Sequence, residues 1–197
     1  TYIYLQGDDM LEKTLENLLK TALLPIGKTM YIYGGGWNEK DTGAGIEAMT
    51  LGIDPKWAEF AQKQDSSYNF KDYDYKQNKE YIHLGLDCSG YIGWLLYNIF
   101  QDKGYVDFSR KIANNLATEN KGKVKKAKYI TEYKAGDIMS GDSVSHVWLS
   151  LGPCNDGSVV ILHSSPSGVH ISGTPTPKGI ENSHAIDLAN KYMDKYY

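Results

Sequence analysis

One cysteine and two histidines, Cys88, His146 and His163, have the residue types and settings that could do covalent chemistry in this chain. Cys88 stands in the step Gly85-Leu86-Asp87-Cys88-Ser89-Gly90, just ahead of an apolar run that lasts through Phe100. Asp is a good N-cap residue, so the run predicts a helix with Cys88 in its first turn. Ile92, Leu95, Leu96 and Ile99 follow helical spacing, while Tyr91, Trp94 and Tyr97 cover the other faces, the pattern of a buried helix. A sulfur at its start meets the positive end of the helix dipole, which favours the thiolate and prepares a nucleophile. An inert buried thiol is the competing reading, because cysteine is among the most buried residue types.

A thiol nucleophile needs a base. His146 falls near the start of a strand expected over 144–151, and His163 ends the return strand expected over 159–163, with Asn155-Asp156-Gly157 as the hairpin turn between them. His146, Trp148 and Ser150 share a face of the first strand, and Ile161 and His163 share a face of the return strand. Adjacent antiparallel strands can therefore bring both imidazoles to one side, expected to be the side toward the Cys88 helix. His146 would then take the thiol proton, and His163 would hold the first imidazole in its tautomer and orientation. Strand histidines are also common as plain hydrogen-bonded polar residues. A metal held by Cys88, His146 and His163 is a further reading, which no short Cys-x-x-Cys or His-x-x-x-His spacing supports.

The elements that must position these residues follow in chain order. Asp8 and Asp9 precede an amphipathic pattern with Leu11, Leu15, Leu18, Leu19 and Ala22 on one face, a helix ending at Pro25. Met30-Tyr31-Ile32-Tyr33 reads as a short strand that breaks at Gly34-Gly35-Gly36. That triplet allows close approach of other groups and is no phosphate loop, since no Gly-Lys-Ser/Thr follows. The segment 37–86 is polar and rich in aromatics. Within it, Asp54 caps a short helix that has Pro55 at its first position. A helix is expected over 107–120, followed by a lysine-rich stretch over 121–128 that reads as a solvated loop. The second half turns to strands, over 135–139, 144–151, 159–163 and 168–172, and 185–197 reads as a terminal helix. Helices first and an antiparallel meander after them make an α+β arrangement.

Taken in order, Asp87-Cys88-Ser89-Gly90, Gly136-Asp137-Ile138, Ser145-His146-Val147 and Leu162-His163-Ser164-Ser165 resemble the motifs of the NlpC-type peptidases, papain-like enzymes that cut bacterial cell-wall peptides. The Tyr31-Ile32-Tyr33-Gly34-Gly35 run also looks like that family's segment ahead of the nucleophile, so the likeness spans about 10–172. It implies a papain-like cysteine peptidase fold, with N-terminal helices and the nucleophile helix packed on an antiparallel sheet. It further implies a Cys88-His146-His163 triad, with Tyr31 beside the nucleophile helping to hold the oxyanion. Asp87 and Ser89 match positions implicated in gripping the amino end of the stem peptide. The usual substrates are stem peptides or muropeptides, cut after γ-D-glutamate and before diaminopimelate or lysine. The implied place of action is extracellular or at the cell wall. Two departures bear on specificity: the aromatic-rich insertion at about 37–86, and Trp148, where the family pattern has a small residue.

Composition sets the outer bounds. The chain has 197 residues, enough for one domain with a substantial core, here a single catalytic domain over 1–197. Hydrophobic residues at 41% and charged residues at 23% exclude disordered and fibrous classes. A formal net charge of -3 argues against nucleic acid as a partner. No apolar run approaches a membrane span, the first residues do not form a signal peptide, and Cys88 and Cys154 make no disulfide framework. The expected protein is a monomeric cysteine endopeptidase that needs no metal or organic cofactor. Amide hydrolysis requires a nucleophile, a proton shuttle and a charge trap. The trap would be the Cys88 backbone N–H with the Tyr31 O–H as second donor, one such donor being worth about 10²–10³ in rate. A wall amidase or acyltransferase on the same plan stays open, as does a wall-binding module whose catalytic residues have decayed.

Overall fold

The computed structural model describes residues 11–36, 45–106, 122–141 and 146–194. The expected capping role of Asp8 and Asp9, Trp37, the helix over 107–120 and residues Val144 and Ser145 all lie outside these. Four α-helices are described: α1 Leu15–Leu23, α2 Pro55–Gln62, α3 Cys88–Phe100 and α4 His184–Met193. Four strands, β1 Ile138–Gly141, β2 His146–Pro153, β3 Val159–Ser165 and β4 Gly168–Gly173, form one antiparallel sheet in the order β1-β2-β3-β4. The architecture is α+β. Among the described residues no helix is long and apolar enough to cross a membrane.

Each element starts where a local signal places it. Thr14 caps α1 through its hydroxyl, which accepts the Asn17 N–H at 3.1 Å, so this helix begins at Leu15 rather than at Leu11. Asp54 caps α2 with Pro55 in the first turn, and Ser183 caps α4. The hairpin turn closes where expected: the Gly157 N–H donates to the Cys154 carbonyl at 2.9 Å, and Gly157 takes the positive φ of 81° that glycine accommodates.

Helix α3 is the centre of the core. Tyr91, Ile92, Trp94, Leu95 and Leu96 are buried in one cluster with Val147, Leu149, Leu162, Val169 and Ile171 from the sheet. Helix α1 docks on it as well, with the Tyr91 hydroxyl donating to the Ala22 carbonyl at 2.7 Å. Because side chains alternate along a strand, the sheet gives α3 its apolar residues and turns His146, Trp148, His163 and His170 to the opposite face. This corrects the expectation that the imidazoles would look toward the body of the Cys88 helix. Burying the run of Val, Leu and Ile there contributes about 1.5–3 kcal/mol per side chain, which fixes the strand register.

Met30-Tyr31-Ile32-Tyr33 is not a strand. It makes a single parallel bridge, Met30 to Gly85, before the glycines turn the chain. The turn is tight against α3: a Cβ on Gly90 would lie 2.1 Å from the Gly35 carbonyl oxygen, and a Cβ on Gly35 would lie 2.4 Å from that of Gly85. Glycine at both positions is therefore a packing requirement of this junction.

The described part of the insertion is joined to the core. Trp57 is fully buried, its ring edge-on to Trp94 at 6.3 Å. The Asn98 side chain accepts the Gly52 N–H at 2.8 Å and donates to the Thr50 carbonyl at 2.9 Å. Glu47, buried in the short 3₁₀ turn Ile46–Met49, meets Nδ1 of His83 in the 3₁₀ stretch Lys79–Leu84. Phe60, Tyr68, Tyr73 and Tyr81 then pack ring to ring at 4.8–6.1 Å.

Candidate active site

Asp87 fixes the start of α3. One carboxylate oxygen accepts the Gly90 N–H at 2.7 Å and the Ser89 hydroxyl at 3.2 Å, and the Gly34 N–H also favours its charge. Its own N–H donates to the Gly35 carbonyl at 3.1 Å. Asp87 and Ser89 are thus joined in a cap that ties the glycine turn to the helix, and Cys88 follows as the first helical residue. Burial pushes the Asp87 carboxyl up to about 6, against the opposing pull of those donors.

Backbone N–H groups of Val147, Ser89 and Cys88 itself favour the anion of the half-buried Cys88 thiol. Even so, burial and then the neighbouring Asp87 charge raise the thiol to about 11. The expectation of a dipole-lowered thiolate is therefore corrected: the helix start does stabilise the anion, but desolvation outweighs it. At neutral pH the sulfur carries its proton, and a base must remove it during attack.

The base comes from the end of the sheet. His146 opens β2, next in sequence to Val147, whose backbone N–H favours the Cys88 anion. Among the described residues no hydrogen bond joins Cys88 directly to His146. His146 Nε2 lies 2.8 Å from His163 Nδ1, and His163 Nε2 lies 3.0 Å from the Ser172 hydroxyl oxygen. Two tautomer sets satisfy both contacts, and one of them leaves His146 Nδ1 as a lone pair for the thiol proton. In it, His146 Nε2–H donates to His163 Nδ1, and His163 Nε2–H donates to Ser172.

Both imidazoles are held neutral. Burial, then His170, lowers His146 below its ordinary value. His163 falls to about 3, through burial first and then His170 and His146.

Tyr31 lies near Asp87 and Cys88. Its phenol is raised well above the ordinary range by burial and then by the Asp87 and Cys88 charges, so it stays an O–H donor within electrostatic reach of the sulfur. The insertion holds it there: the Tyr68 hydroxyl donates to the Tyr31 carbonyl, and Phe70 meets the Tyr31 ring edge-on at 5.4 Å. Tyr75 stacks on Tyr33 at 6.0 Å.

The structure thus gathers Cys88, Asp87, Ser89 and Tyr31 at the start of α3, and couples His146 to His163 at the adjoining end of the sheet. Compared with protein-family models, curated proteins and solved structures, the chain matches none. The likeness to NlpC-type peptidases accordingly rests on the motifs themselves. Among the described residues no group of three His, Cys, Asp or Glu side chains is arranged to hold a metal ion.

Two residues of this site escaped the sequence reading. His170 stands directly across from His163 in the β3–β4 register, their rings 4.6 Å apart, with Nδ1 on the Gly168 carbonyl at 2.9 Å. Ser172, two residues on, ends the imidazole chain. The available signal was the period of two along 168–172, which puts His170 and Ser172 on one face and Val169 and Ile171 on the other.

The Asp87 charge has a measurable consequence. Asp87→Asn keeps an N-cap acceptor and removes the negative charge that opposes the Cys88 thiolate. Above pH 6 the native carboxylate is ionised, so at the alkaline pH of an alkylation titration the variant lacks a repulsion that the native protein has. The pH profile of iodoacetamide labelling at Cys88 is expected to move to lower pH. An unchanged profile, or one displaced upward, would show that burial alone sets the thiol.

Proposed function

We propose that this chain is a cysteine endopeptidase that hydrolyses amide bonds of bacterial cell-wall stem peptides through an acyl-enzyme on Cys88. The observation that carries the reading is the His146–His163 couple at 2.8 Å, with His146 next in sequence to Val147, whose backbone N–H favours the Cys88 anion.

The reaction begins from a neutral thiol and a neutral imidazole. His146 Nδ1 takes the thiol proton as the sulfur attacks the carbonyl carbon. The C–S bond forms, and the carbonyl π pair moves onto oxygen, which the Cys88 N–H and the Tyr31 O–H stabilise. Collapse of this intermediate breaks the C–N bond, and His146 gives its proton to the departing amine. A water then attacks the thioester, with its proton passing to Nδ1. Expulsion of the sulfur and return of that proton restore the thiol and release the carboxylic acid. His163, itself fixed by Ser172, steadies the imidazolium that exists between transfers.

The substrate class rests on the motif resemblance, which also suggests cleavage after γ-D-glutamate and action outside the membrane or at the wall. Digestion of purified muropeptides, followed by mass spectrometry, tests both reaction and class. Paired fragments whose masses sum to the parent plus one water, separated at a peptide bond and missing with Cys88→Ala, are the expected products. Release of the intact stem peptide from its sugar would identify an amidase instead. Absence of any cleavage across diaminopimelate- and lysine-type muropeptides would overturn the proposal.

A further inference from the structure

The segment 30–36 has no strand to hold it. One parallel bridge joins Met30 to Gly85, and the Gly35 N–H closes a turn on the Ile32 carbonyl at 2.9 Å. Tyr31 lies between these anchors, and two residues of the insertion grip it. The Tyr68 hydroxyl donates to its carbonyl, and Phe70 meets its ring at 5.4 Å and 87°. One contact fixes backbone and the other fixes the ring. They stand on either side of Asn69, whose side chain accepts the Lys71 N–H at 3.1 Å and so starts the 3₁₀ turn Phe70–Tyr73. The grip is itself braced. Tyr68 stacks on Tyr73 at 5.6 Å, and both meet Phe60 of α2 edge-on, at 6.1 and 4.8 Å. Trp57, one turn earlier in α2, is fully buried against Trp94 of α3. A packed path therefore runs from α3 through α2 to Tyr31, which lies near Asp87 and Cys88. Further along the insertion, Tyr75 stacks on Tyr33, and a Cβ on Gly34 would come within 3.2 Å of the Tyr75 ring.

A hydrogen-bond donor stabilises a developing oxyanion most when its direction is set before the reaction starts. The residues that set that direction must in turn be locked by packing. We infer that Tyr68 and Phe70 are positioning residues that aim the Tyr31 phenol at the Cys88 reaction centre, so that the insertion governs the rate of the chemical step. The inference rests on the peptidase reading, in which the Tyr31 O–H stabilises the oxyanion. A misdirected donor weakens binding of the transition state and leaves ground-state binding of the peptide as it was. Loss of either contact should therefore appear in kcat and leave KM unchanged.

Tyr68→Phe keeps a ring between Phe60 and Tyr73 and loses only the hydroxyl, whereas Phe70→Ala removes the ring that meets Tyr31. Each is made in the native chain and in Tyr31→Phe, and kinetics are read on the muropeptide that the native protein cleaves fastest. Tyr31→Phe is expected to lower kcat by about 10²–10³. Phe70→Ala and Tyr68→Phe are each expected to lower it by about tenfold, with KM within about twofold. Once Tyr31 is phenylalanine, each should cost less than about twofold, because residues acting through one hydroxyl do not add. Should Phe70→Ala fail to fold, Tyr68→Phe decides alone. An undiminished kcat, full additivity with Tyr31→Phe, or a change confined to KM would overturn the positioning role and leave the peptidase standing. If the native protein cleaves no muropeptide, the peptidase reading fails, and the Tyr31 phenol decides the grip separately. Its carbon-13 Cζ resonance, assigned with Tyr31→Phe, is followed in the full chain from about pH 7 to about pH 11. The native phenol is expected to stay protonated throughout, since burial and then the Asp87 and Cys88 charges raise it. Phe70→Ala admits water to the ring and should bring ionisation into that range. A Tyr31 signal that stays as flat in Phe70→Ala as in the native chain would overturn the grip.

Discussion

Cys88→Ala is expected to remove hydrolysis to the background, a loss on the order of 10⁴–10⁶ in kcat, with the fold retained. The size follows from the chemistry: without sulfur no acyl-enzyme forms, and neither His146 nor Tyr31 can take its place. The fold survives because the half-exposed side chain loses one atom, and alanine is a better helix former than cysteine. The Asp87 cap, the Gly35–Gly90 contact and the apolar face of α3 are untouched. Thermal melting of the variant within a few degrees of the parent, together with null activity, is the expected pair of results. A variant that melts normally and still turns over peptide would rule out Cys88 as nucleophile. Alkylation provides a second view of the same atom. With the thiol raised to about 11, the labelling rate at Cys88 climbs from neutral pH toward that value as the thiolate fraction grows. A rate already flat at pH 7 would mean a preformed thiolate and a different resting state.

How much of this could be read beforehand depended on whether the deciding signal was local. Asp87 before an apolar run, Pro55 after Asp54 and the Asn155-Asp156-Gly157 turn are decided within four residues, and all three fall where the sequence puts them. The β2–β3–β4 meander follows from alternation and turn chemistry, both short-range. The Met30–Tyr33 strand was lost because the glycine turn behind it serves α3, a partner more than fifty residues away. Which face the imidazoles occupy was also legible, though from the apolar residues: Val147, Leu149 and Leu162 must meet α3, which sends His146 and His163 the other way. The raised thiol was not legible. It depends on how much water the folded chain leaves around one sulfur, and the helix dipole alone points in the opposite direction. The same holds for Trp57, whose polar and aromatic neighbours in sequence suggest a rim but whose ring packs against Trp94 in the core. His170 and Ser172 needed the register of a third strand before they could join the site.

The two catalytic imidazoles are expected to differ sharply under substitution. His146→Ala deletes the group that carries the proton from thiol to amine in the proposed reaction, and should lower kcat/KM by about 10²–10⁴ at the least. His163 touches no reacting atom; it acts through the His146 Nε2–H bond at 2.8 Å and is a positioning residue. His163→Gln can still present a carbonyl oxygen to that N–H, so His146 keeps the tautomer with Nδ1 free. His163→Ala leaves the N–H without its acceptor and lets the ring turn over, which presents the wrong nitrogen to the thiol. The expected order of activity is native, then Gln, then Ala at position 163, with His146→Ala lowest. Rescue by Gln distinguishes positioning from bulk packing, because the amide replaces the hydrogen bond without reproducing the ring. The pH profile provides a check that stability does not move. His146 is held below the ordinary imidazole value by burial and by His170, and protonation removes its lone pair, so activity falls as pH drops through that lowered value and not before. In His163→Ala the lost ring lets water reach His146; its desolvation lessens, its pKa rises, and the acid limb of kcat/KM should move to higher pH. If His163→Ala matched Gln in rate and kept the native acid limb, the second imidazole would be a neighbour of the site without a part in it.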